Sequence, residues 1–579
     1  HLSIAATIMS YSNDSRWLKR IISMCLTPIV YRLVRVFIQR MAKQFVLSQT
    51  INGALQNSEK LIKKNYCFSY DMLGESARCK QDEQRFFQQY YDAIKFVGEQ
   101  SQGNDLHDKP SISVKLSALH SRYCFSQQDR VYLELIPQLK QLAMLAKSYN
   151  IGLTIDAEES ARLELSLDIF KTLYLDVELA QWQGFGLAVQ AYQKRAVSVI
   201  DWLIALSANH KRQISIRLVK GAYWDSEIKW AQEKGLADYP VFTTKEATDV
   251  SYLVCAQKLL NARRYIYPQF ATHNAYTVAS ILQMDNSGDG YEFQRLHQMG
   301  QALYEQLLRE KQVKCRVYAP VGKHVDLLAY LVRRMLENGA NSSFINNIVD
   351  ERISVDELLN DPVVMLQRGL TSSEIPLAKD LYQTEFEVPR INSQGIDLSD
   401  KNSLIKLKAT ITPIITSRLN VLPPTADLLI HNPADLQEIV GGIVVDTKAS
   451  LEQKLQRSQH AFTIWSNTEI PQRCDYLNLI ADKLEANQAE LIALCIKEAG
   501  KTVSDSLSEV REAIDFCRYY ACLAPQMFTS HSVKSRGIIL CISPWNFPLA
   551  IFVGQIVAAL VTGNTVLAKA AEQTSLIAQ

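Results

Sequence analysis

Eight short runs rich in β-branched and aromatic residues recur along the first 340 residues, at 66–71, 111–115, 152–156, 185–190, 214–217, 269–273, 291–296 and 316–318. Runs of this length, separated by stretches with helical periodicity, predict parallel strands alternating with helices, and eight of them predict a closed (β/α)8 barrel. Side chains at the C-terminal ends of barrel strands gather at one mouth, where such folds carry their chemistry. Here the strand-end set is Asp71, Lys115, Asp156, Gln190, Arg217, His273, Leu296 and Tyr318. So many polar groups at one mouth predict an enzyme.

A chain of 579 residues is too long for one hydrophobic core. A helical arm is expected over 1–60, where Leu33, Phe37, Met41 and Phe45 recur at four-residue spacing. The barrel should occupy 61–345, closing with a helix over about 325–338 that Gly339 stops. Asp361-Pro362, Ser372-Ser373 and Pro423-Pro424 mark 346–425 as a partly ordered connector. A second α/β domain is expected over 426–579, with helices at 450–465 and 472–499 and strands at 537–542 and 565–568. The apolar stretch 549–561 is shorter than the roughly 20 residues of a membrane span and predicts a buried helix. The stretch 21–38, broken by Pro28, Arg32 and Arg35, is amphipathic, so it either packs on the protein or touches a membrane surface peripherally.

A net charge of +2 without a basic run gives no electrostatic case for nucleic-acid binding. Eleven cysteines occur singly, with no partner at zinc-ligand spacing, which predicts neither zinc nor disulfides and a reducing, cytoplasmic setting. The first residue is His1 and no secretory signal is legible, so the chain reads as a fragment of something longer.

Arg333, Arg334 and Glu337 would share one face of the closing helix. Two guanidinium forks and one carboxylate form a clamp for a zwitterion, and the competing reading is a solvated ion-pair face. Lys115 and Asp156 end neighbouring strands and would face each other across the mouth. Arg217, Lys220, Gly221, Tyr223 and Trp224 put two cations, a permissive glycine and two aromatics near one strand end, which suits a flat anionic cofactor, against a plain surface turn. His273 reads more readily as a satisfied structural histidine than as a general base. No G-x-G-x-x-G follows a barrel strand, so no Rossmann-type nucleotide site is expected in this half.

The segments Ser113-Val-Lys-Leu-Ser-Ala-Leu-His120, Ile155-Asp-Ala-Glu-Glu159, Arg217-Leu-Val-Lys-Gly-Ala-Tyr-Trp-Asp225, Phe270-Ala-Thr-His-Asn274 and Tyr330-Leu-Val-Arg-Arg-Met-Leu-Glu-Asn-Gly339 closely resemble proline dehydrogenase in order and spacing. The whole chain resembles the bacterial bifunctional proline utilization A family, which joins a flavin-dependent proline dehydrogenase to a 1-pyrroline-5-carboxylate dehydrogenase of the aldehyde dehydrogenase class. The resemblance implies FAD over the barrel mouth, hydride transfer from proline C5 to flavin N5, and onward electron transfer to a membrane quinone. Arg333 and Arg334 would hold the proline carboxylate; Glu337, Lys115 and Asp156 would set the charge around the ring nitrogen; Tyr318, Tyr223 and Leu296 would pack the ring. Glu75 would pair with Arg333 as a lid. Arg217 would lie near flavin N5, with Gln190, Val219, Gly221, Trp224, Thr243, Lys245, Thr272, His273 and Asn274 contacting the cofactor. Tyr318 is the residue that proline-preferring, rather than hydroxyproline-preferring, members place there.

The stretches 537–548 and 561–569 resemble the start of an aldehyde dehydrogenase cofactor fold. Ile542, Ser543, Trp545, Lys569 and Glu572 would touch NAD, and Asn546 would donate to a thiohemiacetal oxyanion. The family's later phosphate loop, catalytic glutamate and nucleophilic cysteine would fall past Gln579, so a complete second centre is not expected in this chain. Ala570 replaces the family's usual proline. Some members carry an N-terminal DNA-binding segment, and none is legible here. The resemblance leaves homo-oligomerisation and peripheral association with the inner membrane face open. The alternative function is a regulatory or membrane-associated flavin-binding scaffold.

Overall fold

The computed structural model describes residues 45–285, 287, 289–311, 313–323, 330, 332–334, 360–369, 375–385, 389–416, 426–530 and 534–579. Most of the expected arm, the amphipathic stretch 21–38 and most of the closing helix, including Glu337 and Gly339, lie outside the described residues. Tyr330 and 332–334 are helical.

All eight expected strands form: β1 Tyr66–Met72, β2 Ser111–Val114, β3 Gly152–Ile155, β4 Phe185–Gln190, β5 Ile214–Val219, β6 Ile266–Ala271, β7 Glu292–Leu296 and β8 Lys314–Val321. Each pairs in parallel with its neighbours, and β1 pairs with β8 from Tyr66↔Cys315 to Met72↔Val321, which closes the barrel. Three strands differ by two residues or more from the sequence reading. β5 runs two residues further, so Arg217 lies inside the barrel rather than at its rim. β6 begins three residues earlier and stops at Ala271, which leaves His273 in the following loop; Pro268 within the run hid its start. β8 likewise continues through Pro320.

Alternation along the strands explains the two faces. Phe68, Ile112, Leu153, Ile216, Phe270, Phe293 and Val317 are all buried and alternate with polar residues, whereas Phe185, Leu187 and Val189 of β4 alternate with Gly186, Ala188 and Gln190. The polar set includes Ser69, Asp71, Ser113, Asp156, Arg217, Gln269, Glu292, Gln294 and Arg316, also buried. The apolar side packs against the surrounding helices, and the polar side fills the barrel. Interiors of this fold are usually Val, Ile and Leu, so a polar filling is a departure whose buried groups need hydrogen-bond partners.

The helix Ile51–Ile62, capped where Thr50 Oγ1 accepts from Gly53 N, docks on β1 through a 2.8 Å hydrogen bond between the Ser58 and Tyr70 hydroxyls.

The chain divides into two compact units, the second formed by 224–243 and 372–579. The excursion 224–243 joins this unit through bonds such as Gly395 N to Gly235 O, 2.8 Å, and Arg511 Nη1 to Glu233 O, 2.9 Å. Within the stretch expected as a connector, Lys401–Thr416 is a helix that buries Leu407 and Ile411 in the unit's core, beside Leu477, Ile492, Val510, Ile514 and Val557. The helix expected over 472–499 is two, Ile470–Ala486 and Gln488–Ala499, broken at Asn487, whose φ of −101° and ψ of 18° leave the helical region. A hairpin of β9 Leu428–Asn432 and β10 Asp435–Ile443 and a 28-residue helix, Val503–Ser530, were not anticipated. β11 Ile538–Ile542 and β12 Thr565–Lys569 pair in parallel across the helix Ala550–Val561, giving one βαβ unit; that helix, expected to be buried, buries only Ala550, Gly554, Val557 and Val561 and is otherwise half-buried.

Candidate active site

Lys115 stands directly after β2, with Nζ 2.8 Å from Asp71 Oδ2 and 2.9 Å from Asp156 Oδ2. Tyr318 on β8 donates to Asp156 Oδ2 at 2.7 Å, and Arg217 Nη1 reaches Asp156 Oδ1 at 2.7 Å. Lys115 Nζ also lies 3.3 Å from the Tyr318 hydroxyl. The structure therefore brings together Lys115, Asp156, Tyr318 and Arg217, and adds Asp71, which the sequence placed at a strand end without a role. Two carboxylates and two cations held out of water depend on their mutual bonds, because an unpaired buried charge costs several kcal/mol.

Their environments set them apart. Burial raises the Asp71 carboxyl, only partly offset by Lys115, and Asp71 Oδ1 accepts no hydrogen bond. Burial also pushes Asp156 up, but Lys115, Arg217 and Tyr318 together hold it below the usual carboxylate range. Burial would lower Lys115, yet the carboxylates beside it keep its ammonium well above the ordinary lysine value. Across one shared cation the two carboxyls are thus shifted in opposite directions, Asp71 upward and Asp156 downward.

Over this cluster's end of the barrel, Arg333 forks Glu75 at 2.7 and 2.8 Å and lies 5.2 Å over the Tyr223 ring. Arg334, 7% exposed, lies over the Tyr330 ring. Burial works against both members of the Glu75–Arg333 fork, but the bond wins, lowering Glu75 and raising Arg333. Burial raises the Tyr223 hydroxyl. Leu296 ends β7, and its N–H donates to His273 Nε2 at 3.0 Å. His273 is thereby committed to a backbone bond.

The remaining mouth residues follow their strands. Gln190, at the end of β4, donates to Glu158 O at 2.7 Å, while its buried Oε1 accepts nothing. Val219 ends β5, and Gly221 beyond it has φ 141°; a Cβ there would meet the Tyr192 ring at 2.6 Å. Lys245 and Lys220 both pair with Asp249, Lys245 at 2.9 Å. Thr272 is buried, its hydroxyl accepting from Asn274 N, and Asn274 caps the helix Ala275–Met284 by accepting from Thr277 N. Trp224 and Thr243 belong to the excursion of the second unit, where Trp224 Nε1 donates to Phe242 O at 2.9 Å. Among the described residues no group of His, Cys, Asp and Glu could hold a metal ion.

Sequence reasoning missed the groups that seat Arg217. Its Nε donates to Gln294 Oε1 at 2.7 Å, and Nη2 to Ser69 and Ser113 at 3.1 and 2.9 Å. Polar residues in phase with Asp71, Lys115 and Leu296 on their own strands are a signal that could have found them.

In the second unit, Ile542 ends β11 with Ser543, Trp545 and Asn546 following it, and Lys569 ends β12 with Glu572 following it. Ser543 N donates to Lys569 O at 3.2 Å, Lys569 lies 3.4 Å from Glu572, and Ile542, Trp545 and Asn546 are exposed. Carboxyl ends of adjacent parallel strands are where open α/β sheets bind nucleotides.

Residues 54–347, just over half of the chain, match the proline dehydrogenase family model, and 424–579 match that of the aldehyde dehydrogenase family. The bifunctional protein PutA of Salmonella typhimurium is 47% identical over 98% of this chain and 44% of its own length, and that of Escherichia coli 47% over 97% and 44%. The chain thus spans about half the length of the relatives it matches. A crystal structure of a Bradyrhizobium japonicum proline utilization A variant superposes with a TM-score of 0.84 at 44% identity, covering 96% of this chain and 56% of that one. One from Bdellovibrio bacteriovorus, inactivated by N-propargylglycine, gives 0.83 at 29%, covering 95% and 60%.

Proposed function

The chain belongs to the proline dehydrogenase family, and from that premise we propose that its barrel oxidises L-proline to 1-pyrroline-5-carboxylate with FAD, delivering the electrons to a quinone. The observation that carries this reading is the buried cluster of Lys115, Asp71, Asp156 and Tyr318 beneath the Arg333–Glu75 fork.

The residues at the mouth suit the cofactor. Gln190 Oε1 is a buried acceptor without a donor, as a ring imide N–H requires, and Lys245 offers an exposed cation for a pyrophosphate. Gln190, Arg217, Val219, Gly221, Lys245, Thr272, His273 and Asn274 would hold it. When bound, FAD supplies a two-electron acceptor for hydride.

Arg333 and Arg334 would bind the proline carboxylate, with Glu75 pairing with Arg333 as a lid over the bound substrate. Tyr223, Leu296 and Tyr318 would pack the ring. Lys115 Nζ, kept protonated by its two carboxylates, places a fixed positive charge near the ring nitrogen and disfavours the ammonium form. The ring nitrogen therefore gives up its extra proton before hydride leaves C5 and the carbon–nitrogen double bond forms. That proton would pass to solvent. Glu337 retains its proposed part in the charge around the nitrogen.

In the second unit, Ile542, Ser543, Trp545, Lys569 and Glu572 would contact NAD and Asn546 an oxyanion, as part of a domain that in the whole protein oxidises glutamate semialdehyde to glutamate. A cytoplasmic protein touching the inner membrane face suits a quinone acceptor; among the described residues no helix is long and apolar enough to cross a membrane. Steady-state reduction of a soluble quinone analogue, dependent on L-proline and FAD and yielding the cyclic imine, tests the reading. Quinone reduction indifferent to L-proline would refute it.

A further inference from the structure

Below the mouth the barrel is filled by a continuous chain of bonded polar side chains. Glu292, Gln294, Arg316 and Arg217 are each at most 3% exposed. Arg316 Nε lies 2.7 Å from Glu292 Oε1 and its Nη2 3.0 Å from Oε2; its other donors reach the carbonyls of Phe68, Lys109 and His107. Gln269 Nε2 donates to Glu292 Oε1 at 3.0 Å, and the Tyr267 hydroxyl lies 3.5 Å from Oε2. Gln294 Nε2 donates to Glu292 Oε1 at 2.7 Å, and its Oε1 accepts from Arg217 Nε at 2.7 Å. Arg217 then reaches Asp156, so the chain runs from the Arg316 pair to the Lys115 cluster.

The orientation of the Gln294 amide is forced. A carboxylate only accepts and a guanidinium only donates, so turning the amide over would break both bonds and set like against like at each end. Three strands, through Ser69, Ser113 and Gln294, and Asp156 just after β3 then supply the acceptors of Arg217. We propose that Gln294, oriented by the Glu292–Arg316 pair, is a positioning residue that fixes the Arg217 guanidinium against Asp156. It touches neither substrate nor cofactor in this account and acts through Arg217.

The inference rests on the proline-oxidising reading only for its kinetic consequence. Q294L and Q294E separate it from mere packing. In Q294L, Arg217 Nε loses its acceptor, and kcat for L-proline should fall roughly tenfold or more with KM within about threefold of the native value. In Q294E the new carboxyl would sit against Glu292, with Arg217, Arg316, Tyr267, Gln269 and Asp156 around the pair. When protonated it reproduces the amide, accepting from Arg217 and donating to Glu292. Two carboxyls at this separation share one proton, which raises the pKa of the pair in the folded state. That stability is complete below the unfolded carboxyl range and is lost as pH rises through the folded value.

The full chain should be measured with and without added FAD. Without FAD, the thermal midpoint of Q294E relative to native should drop steadily between about pH 5 and pH 8, while the offset of Q294L stays flat. With FAD, kcat of Q294E should follow the same profile, approaching native at the acid end. A pH-independent offset in Q294E, or a folded Q294L with native kcat, would overturn the inference. Failure of the proline-oxidising reading would look different, since native protein would be inert to proline while the FAD-free profile of Q294E persisted.

Discussion

Replacing Lys115 by methionine keeps most of the side chain's length and removes the one charge that bridges Asp71 and Asp156. At 2.8 and 2.9 Å, with an effective dielectric of about 20, each contact represents about 6 kcal/mol of Coulomb attraction. The loss should not reach the sum of the two, because the cluster has a cheaper response: Asp71 can take up a proton. Protonating a carboxyl of ordinary pKa at pH 7 costs about 4 kcal/mol, and less for one whose value burial already raises. K115M should therefore lose about 3 to 4 kcal/mol at pH 7. In the variant the folded-state pKa of Asp71 rises further, so the stability it contributes is fully present below the unfolded carboxyl value and is lost as pH increases. The deficit should shrink by up to about 1.4 kcal/mol per pH unit on acidification, to about 1 to 2 kcal/mol near pH 5. Amide hydrogen exchange of β2 and β3 reads this locally, without assuming that both units unfold together. A deficit equal at both pH values, or below about 1 kcal/mol at pH 7, would refute the role given to Asp71.

E75Q removes the charge from the Arg333 fork and should raise KM for L-proline several-fold while changing kcat by less than about threefold, read from steady-state kinetics. G221A forces a Cβ onto the Tyr192 ring at a φ of 141°, and should lower flavin occupancy, measured as the ratio of flavin to protein absorbance, with a destabilisation of about 1 to 3 kcal/mol. Glu498 in the second unit, pushed up to about 7 by burial despite accepting from Leu576 N and Ile577 N, stabilises the fold at acid pH and loses that contribution as pH rises through about 7. E498Q should flatten the pH dependence of the second unit's thermal midpoint between about pH 6 and pH 8.

The barrel was legible because the outward faces of its strands are apolar and β-branched, a pattern that survives in single-sequence reading. Its interior was not read, although Ser69, Ser113, Gln269, Glu292, Gln294 and Arg316 stand at alternate positions in the same runs. A polar residue between two apolar ones looks like a solvent-facing position until closure turns that face inward. Pro268 and Pro320 hid two strand limits for a related reason, since proline normally argues against a paired strand. Lys115, Asp156, Tyr318 and the Glu75–Arg333 pair were placed from strand-end position and resemblance, and the structure brings them together. Arg217 was given to the rim and lies deeper, because its run continues through Leu218 and Val219. In the second unit, β9 and β10 escaped notice because Leu428, Leu429, Leu436 and Ile439 are exposed and show no clean alternation.

Hydride transfer from proline to a flavin bound in this barrel is read by an anaerobic titration of the FAD-loaded chain with L-proline. The oxidised flavin absorbance should fall in proportion to proline added, with one equivalent of cyclic imine formed per flavin bleached. A flavin band unmoved by L-proline, in protein that binds FAD stoichiometrically, would contradict that transfer.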